Sequence, residues 1–232
     1  GNVAATIVEP VAGNMGTVPP NDDFLPELRK ISSNDGCILI FDEVITGFRV
    51  AQGGAQEYYG VHPDLTCLGK ILGGGLPAAA YGGCKDIMDN VSPSGKKVVQ
   101  AGTLSGNPLA MAAGLAQLEL LSDSMIFKKI IIAAEHLENG INKNIKSLGL
   151  SYSVNRVGGM LTMFFKSGEV SCFNDLADID LSMFAKYFRR CLDKGLYIAP
   201  SQYECMFPSI AHTEQDIENT IAVHYDVLKS IH

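Results

Sequence analysis

Cys37-Ile38-Leu39-Ile40-Phe41-Asp42-Glu43 runs five apolar residues without alternation straight into two carboxylates. Such a run predicts a strand covered on both faces, as in a parallel sheet. Asp42 then falls at the strand's carboxyl end, the edge where α/β sheets hold their ligands. Working outward, Ala5 to Val8 predicts an earlier strand and Asp22 to Asn34 a helix between the two. Leu65 to Leu68 and Ala79 to Gly83 predict further strands. Strands and helices in this order are the pattern of an α/β layered domain. Pro108 to Leu121 predicts a helix with Asn107 as N-cap and proline at its first position. That helix is Ala-rich and apolar nearly all round, which predicts burial.

The character changes after about Ser122. Met125 to Leu148 predicts a long helix, and Ser151 to Lys166 a hairpin around Gly158-Gly159. Leu176 to Leu192 carries apolar residues at helical spacing and stops at Gly195, and Leu196 to Ala199 predicts a short strand. Thr213-Glu-Gln-Asp216 opens the last helix as a capping box. Residues 1–122 therefore form an α/β part, and residues 123–232 a small α+β domain with its connecting helix.

The 232 residues are 47% hydrophobic and 19% charged, so a sizeable core is expected and disorder is not. A net charge of -7 without a basic run argues against a nucleic-acid partner. No apolar stretch has the length of a membrane span. Six scattered cysteines without a CxxC pair fit neither a metal site nor a disulfide framework. They suggest reduced, mostly buried thiols in a cytoplasmic setting. The chain opens on Gly1 and enters the strand-like run Val3 to Val8 almost at once, as expected for the middle of a longer protein.

Asp42 alone would read as a helix cap or an ion-pair partner, and Lys70 alone as a surface lysine. Their surroundings change this. Asp42-Glu43-Val44 leads into Thr46-Gly47-Phe48-Arg49, and Gly69-Lys70 into Gly73-Gly74-Gly75-Leu76-Pro77. A lysine amine forms a Schiff base with an aldehyde cofactor, most readily when desolvation lowers its pKa. An aspartate facing a pyridine nitrogen keeps that ring protonated and makes it an electron sink. The glycines let backbone approach closely.

Ile7-Val-Glu-Pro10, Phe41-Asp-Glu-Val44, Thr46-Gly-Phe48, Leu68-Gly-Lys70 and Gly73-Gly-Gly-Leu-Pro77 together resemble the class III aminotransferase family. Glu9 to Gly16, Gln100 to Gly114 and Phe48-Arg-Val-Ala51 are similar to its glutamate-1-semialdehyde aminomutase branch, as are Ala199-Pro-Ser201 and Ala211-His-Thr213. The resemblance covers essentially the whole chain. It implies an α/β fold, the remainder of a pyridoxal 5'-phosphate (PLP) fold-type I large domain followed by the small C-terminal domain. It implies PLP and its pyridoxamine 5'-phosphate form as cofactors, a small-molecule substrate, and a homodimer with a shared active site.

Residue by residue, the resemblance implies Lys70 as the Schiff-base lysine and proton carrier, and Asp42 as the ring-nitrogen partner. It places Val44 against the ring face and Asn14 near the cofactor's phenolic oxygen. Gly102 and Thr103 would reach the phosphate in the neighbouring subunit, and Glu204 the substrate. Plainer roles stand beside these: Asn14 serving its turn, Thr103 capping a helix, Glu204 solvated, His212 in a loop or cap. The implied main phosphate loop, ring-stacking aromatic and substrate-carboxylate binder would lie upstream of Gly1. Cys205-Met206 departs from the family's usual glycine-containing segment, at the position that sets Glu204. The expected activity is isomerisation of glutamate-1-semialdehyde to 5-aminolevulinate. The alternatives are another class III aminotransferase, or a non-catalytic truncated fragment.

Overall fold

A computed structural model describes residues 2–91 and 98–232. The chain divides into two compact units, Gly1–Pro10 with Asn21–Ser124, and Val11–Pro20 with Met125–His232.

The first unit is built on a four-stranded sheet in the order β1 (Ala5–Val8), β2 (Ile38–Glu43), β3 (Leu65–Leu68) and β4 (Ala80–Gly83). The first two pairings are parallel and the last is antiparallel. Along β2 burial alternates: Leu39, Phe41 and Glu43 are buried, while Ile38, Ile40 and Asp42 are half-buried. Leu39 and Phe41 pack with Leu25 and Leu28 of α1 (Phe24–Asp35), with Tyr59 of α2 (Gly54–Tyr59), and with Val61. The expectation of a strand covered on both faces is thus corrected. Both helices lie on the Leu39–Phe41 face, and on the other face Ile7 stays 61% exposed.

A short α3 (Lys85–Met88) follows β4, and then comes α4 (Pro108–Leu121). Asn107 Oδ1 accepts from Ala110 N at 2.9 Å, so the cap read in the sequence is present. The predicted burial of α4 is not. Only Ala110, Gly114 and Leu121 are buried, and Leu109, Leu115 and Leu120 are exposed. The small residues mark the strip where the Lys70–Gly73 turn packs, since a Cβ at Gly114 would stand 2.8 Å from Leu72 O.

The second unit pairs β5 (Ser153–Val157) and β6 (Met160–Phe164) as an antiparallel hairpin through Gly158-Gly159. Around it pack α5 (Ser124–Ser147), α6 (Leu181–Asp193) and α7 (Glu214–Ile231), burying Ile141, Leu161, Phe165, Tyr187, Val227 and Leu228 among others. α6 starts later than its apolar spacing suggested. Residues Phe173–Leu176 form a 3-10 turn, and Asp180 caps the helix by accepting from Met183 N. The capping box before α7 is formed in both directions, Asp216 N to Thr213 Oγ1 at 3.2 Å and Thr213 N to Asp216 Oδ2 at 2.8 Å.

Two expectations for this unit change. Leu196 to Ala199 forms no strand. The free edge of β6 is taken instead by Met206, which exchanges two backbone hydrogen bonds with Leu161, and by the Gln202 side chain. Residues 11–20, read above as part of the α/β region, join this second unit. Thr17 N donates to Thr162 Oγ1 at 2.9 Å, and Asn155 Nδ2 to Thr17 O at 3.0 Å. All six cysteines are free; Cys37, Cys191 and Cys205 are buried, whereas Cys84 and Cys172 are exposed. No single helix among the described residues is long and apolar enough to cross a membrane.

Candidate active site

The parallel strands β2 and β3 end on one edge of the sheet, with Asp42 opposite Cys67 and Glu43 opposite Leu68. This places Lys70 two residues beyond the end of β3, on the edge that carries Asp42. Val44 N donates to Asp42 Oδ1 at 3.1 Å, which turns the chain after β2 and fixes the carboxylate. No hydrogen bond engages the other oxygen among the described residues. Partial burial and the charge of Asp42 together raise the Cys67 thiol's pKa.

Lys70 has φ 46, the left-handed region that favours glycine. Such strain clusters where function requires a fixed geometry. The turn is clamped from two sides. A Cβ at Gly69 would lie 3.3 Å from a Val44 methyl, so Val44 packs on the backbone leading into Lys70. A Cβ at Gly74 would stand 2.6 Å from Ala113 O of α4, at a residue with φ 58. Lys70 itself is exposed, and its ammonium has no hydrogen bond or ion pair among the described residues. An unpaired amine on a rigid turn is the arrangement a covalently bound carbonyl ligand requires.

Gly102 and Thr103 are exposed in the turn that precedes α4. Ser105 N donates to Gly102 O at 3.0 Å, and a Cβ at Gly102 would stand 2.6 Å from Ser105 Oγ. Asn107 rather than Thr103 caps α4, which removes the plainer role for Thr103.

Asn14 and Glu204 belong to the second unit, which brings their two turns together from opposite ends of the chain. Gly16 N donates to Tyr203 O at 2.8 Å, and Cys205 Sγ to Gly13 O at 3.4 Å. Thr17 Oγ1 in turn donates to Cys205 Sγ at 3.2 Å. The residue that departs from the family pattern is therefore the buried fastener of the two turns. On one side of Glu204, the Gln202 amide accepts from Phe165 N at 3.2 Å and donates to Met163 O at 2.8 Å. Glu204 and Asn14 are both exposed, and the Glu204 carboxylate has no partner among the described residues. His212 accepts from Ser209 N at 3.0 Å and sits in the loop before α7.

Sequence reasoning missed three supports: Gln202, the Thr17–Cys205 pair, and Glu43. The last is a carboxylate only 1% exposed, directly after Asp42 and on the opposite face of β2. The glycine pair Gly53-Gly54 was the available signal, because a Cβ at Gly54 would stand 2.2 Å from Glu43 Oε2. The residues present are compatible with a carbonyl-bearing pyridine cofactor. Lys70 offers a free amine, Asp42 an acceptor for a protonated ring nitrogen, and Val44 an apolar face. No trio of His, Cys, Asp or Glu is placed to hold a metal ion among the described residues.

Known proteins resemble this chain along nearly its whole length. Residues 1–225 match the family described as aminotransferase class-III. The glutamate-1-semialdehyde 2,1-aminomutase of Chlorobaculum parvum is 51% identical over 228 residues, 98% of this chain and 53% of that protein. Among solved structures, a β-phenylalanine aminotransferase from Variovorax paradoxus is 29% identical with a TM-score of 0.89, covering 98% of this chain and 52% of that one. A glutamate-1-semialdehyde aminomutase from Pseudomonas aeruginosa, solved in complex with PMP, shares the fold at 23% identity and a TM-score of 0.88 over 98% of this chain and 52% of that one. The chain spans about half the length of these relatives. With Asp42 and Lys70 on one sheet edge and the match running through both units, the chain belongs to the class III aminotransferase family.

Proposed function

We propose that this chain carries the cofactor lysine and ring-nitrogen carboxylate of a PLP-dependent glutamate-1-semialdehyde 2,1-aminomutase. The observation that carries the reading is Lys70, unpaired and left-handed, clamped by Val44 on the sheet edge that bears Asp42. The 51% identity to an aminomutase supports this choice within the family. Bound PLP supplies an electron sink for charge developing at the amino-bearing carbon.

The remaining tasks fall to this chain's residues. Lys70 Nζ attaches the cofactor and then carries a proton to and from the substrate carbons. Asp42 accepts a hydrogen bond from the protonated ring nitrogen through a carboxylate already oriented by Val44 N. Val44 keeps one side of the ring dry. Asn14 serves the cofactor's phenolic oxygen, and Gly102 with Thr103 the phosphate in a partner subunit of a homodimer. Glu204 holds an ammonium of the doubly aminated intermediate by a charge-assisted hydrogen bond. The product, 5-aminolevulinate, feeds tetrapyrrole formation, and the six free cysteines support a cytoplasmic setting.

The discriminating test uses full-length protein loaded with pyridoxamine phosphate. It should turn over glutamate-1-semialdehyde many times without an added amino donor. A stoichiometric need for an amino donor and a 2-oxo acid acceptor would reject the aminomutase in favour of a transaminase. Glu204→Gln should increase escape of the diamine; unchanged partitioning removes Glu204 from the mechanism and leaves Lys70 and Asp42 in place.

A further inference from the structure

Glu43 is buried on the face of β2 opposite Asp42, and it meets hydrogen-bond donors at both oxygens. Oε2 accepts from Thr46 Oγ1 at 3.0 Å and from Ala55 N at 2.6 Å. Oε1 accepts from Gln56 Nε2 at 2.9 Å and from Gln56 N at 3.4 Å. The backbone N–H groups cannot reverse, and Gln56 Nε2 is also committed to Thr66 Oγ1 at 3.0 Å on β3. Two carboxylate oxygens accept from every member of this set, whereas an amide would turn N–H against N–H at one of the two positions.

These bonds act on the residues that carry the candidate chemistry. Thr46 belongs to the turn that returns from β2, and Gly47 N donates to Glu43 O at 2.9 Å. A Cβ at Gly47 would stand 2.6 Å from Leu68 Cδ2 and 2.8 Å from Glu43 O, so the turn is pressed onto the ends of both strands. Val44 lies inside that turn, and Val44 N holds Asp42 Oδ1. The same Val44 packs on Gly69, next to Lys70.

We infer that Glu43 is a positioning residue, a buried carboxylate anchor that fixes the Asp42 carboxylate and Val44 through the 43–47 turn. The inference rests on the reading of Asp42 as ring-nitrogen partner. It makes Glu43 act on the electronic state of the bound cofactor and not only on the fold.

The test is the pH titration of the visible band of full-length, cofactor-loaded protein, alongside its melting temperature. The band reports the proton on the Lys70 linkage, whose affinity depends on the charge held at the ring nitrogen. Asp42→Asn should move the midpoint, and Glu43→Gln should move it in the same direction by about half a pH unit or more. Val61→Ala thins the core on the same face of the sheet without removing a Glu43 hydrogen bond. It should lower the melting temperature and leave the midpoint in place. A Glu43→Gln protein that melts earlier but titrates like wild type overturns the inference while Asp42→Asn still shifts. An unmoved Asp42→Asn rejects the ring-nitrogen reading itself. Should Glu43→Gln not fold, Gln56→Ala removes one donor and should give a smaller shift of the same sign; no shift counts against Glu43.

Discussion

Acidification is expected to loosen the second unit through His224. This side chain is 1% exposed on α7, with Asn144 Nδ2 at 3.1 Å from its Nδ1 and Met163 Sδ at 3.2 Å from its Nε2. Asn144 Nδ2 also donates to Ile221 O at 2.8 Å, which makes it the donor toward the ring. Nδ1 therefore accepts and Nε2 carries the proton, so the imidazole is neutral. The Tyr187 ring closes one side at 5.7 Å, and no carboxylate among the described residues is bonded to the imidazole. Burial lowers the His224 pKa from 6.5 to about 4.

The unfolded chain thus binds a proton between these values while the native unit does not. Stability is full above about pH 6.5 and falls as pH drops toward 4. At 1.36 kcal/mol per pH unit the whole window amounts to about 3 kcal/mol, of which about 2 kcal/mol is gone by pH 5. Asp175 is held near 2 by bonds from Ser171 and Cys172, below this window. Urea unfolding followed by far-ultraviolet dichroism at pH 7, 6 and 5 measures the effect. His224→Leu should start less stable, since it strands Asn144, yet lose much less on acidification. Parallel pH dependences in the two proteins would remove His224 as the cause.

Other expectations follow from single contacts. Gln202→Ala leaves Phe165 N and Met163 O without their partner, a loss of about 2–6 kcal/mol by urea unfolding at about 1–3 kcal/mol per buried group. A loss under about 1 kcal/mol would mean that water replaces the amide. Gly54→Ala and Gly60→Ala form a matched pair, at φ 68 and φ 65. Only the first brings a Cβ onto Glu43, while nothing among the described residues lies within 4 Å of a Cβ at the second. Both should pay about 1 kcal/mol or more of backbone strain, and Gly54→Ala should also shift the cofactor band; equal behaviour removes the Glu43 contact as a cause. Asp42→Asn in the full-length protein should keep cofactor bound and lose about a hundredfold or more in turnover, as expected when a proton-holding group is lost. Near-normal turnover would separate Asp42 from the chemistry.

What the sequence made legible was local. The Asn107-Pro108 start of α4 and the Thr213 box of α7 are set by residues within one turn, and both caps are formed. Strands β1 and β3 end at the residues their composition suggested. What stayed hidden depends on partners far along the chain. Residues 11–20 join the second unit through Thr17–Thr162, a pairing across 145 positions. Leu196 to Ala199 looks like a strand, but Gln202 and Met206 take the edge of β6. The apolar composition of α4 could not reveal that one strip alone has a partner in its unit. At the candidate site, Lys70 and Asp42 stood out because lysine beside glycines and aspartate after an apolar run are visible as strings. Glu43 did not, since its donors come from residues 46, 55 and 56 folded around it.

Covalent trapping shows whether Lys70 is the residue that holds the cofactor. Full-length protein loaded with PLP is reduced with borohydride, digested, and mapped by mass spectrometry. One modified peptide is expected, with the phosphopyridoxyl mass on Lys70, and it should disappear in Lys70→Ala. The same mass on another lysine, or an undiminished adduct in Lys70→Ala, would contradict it.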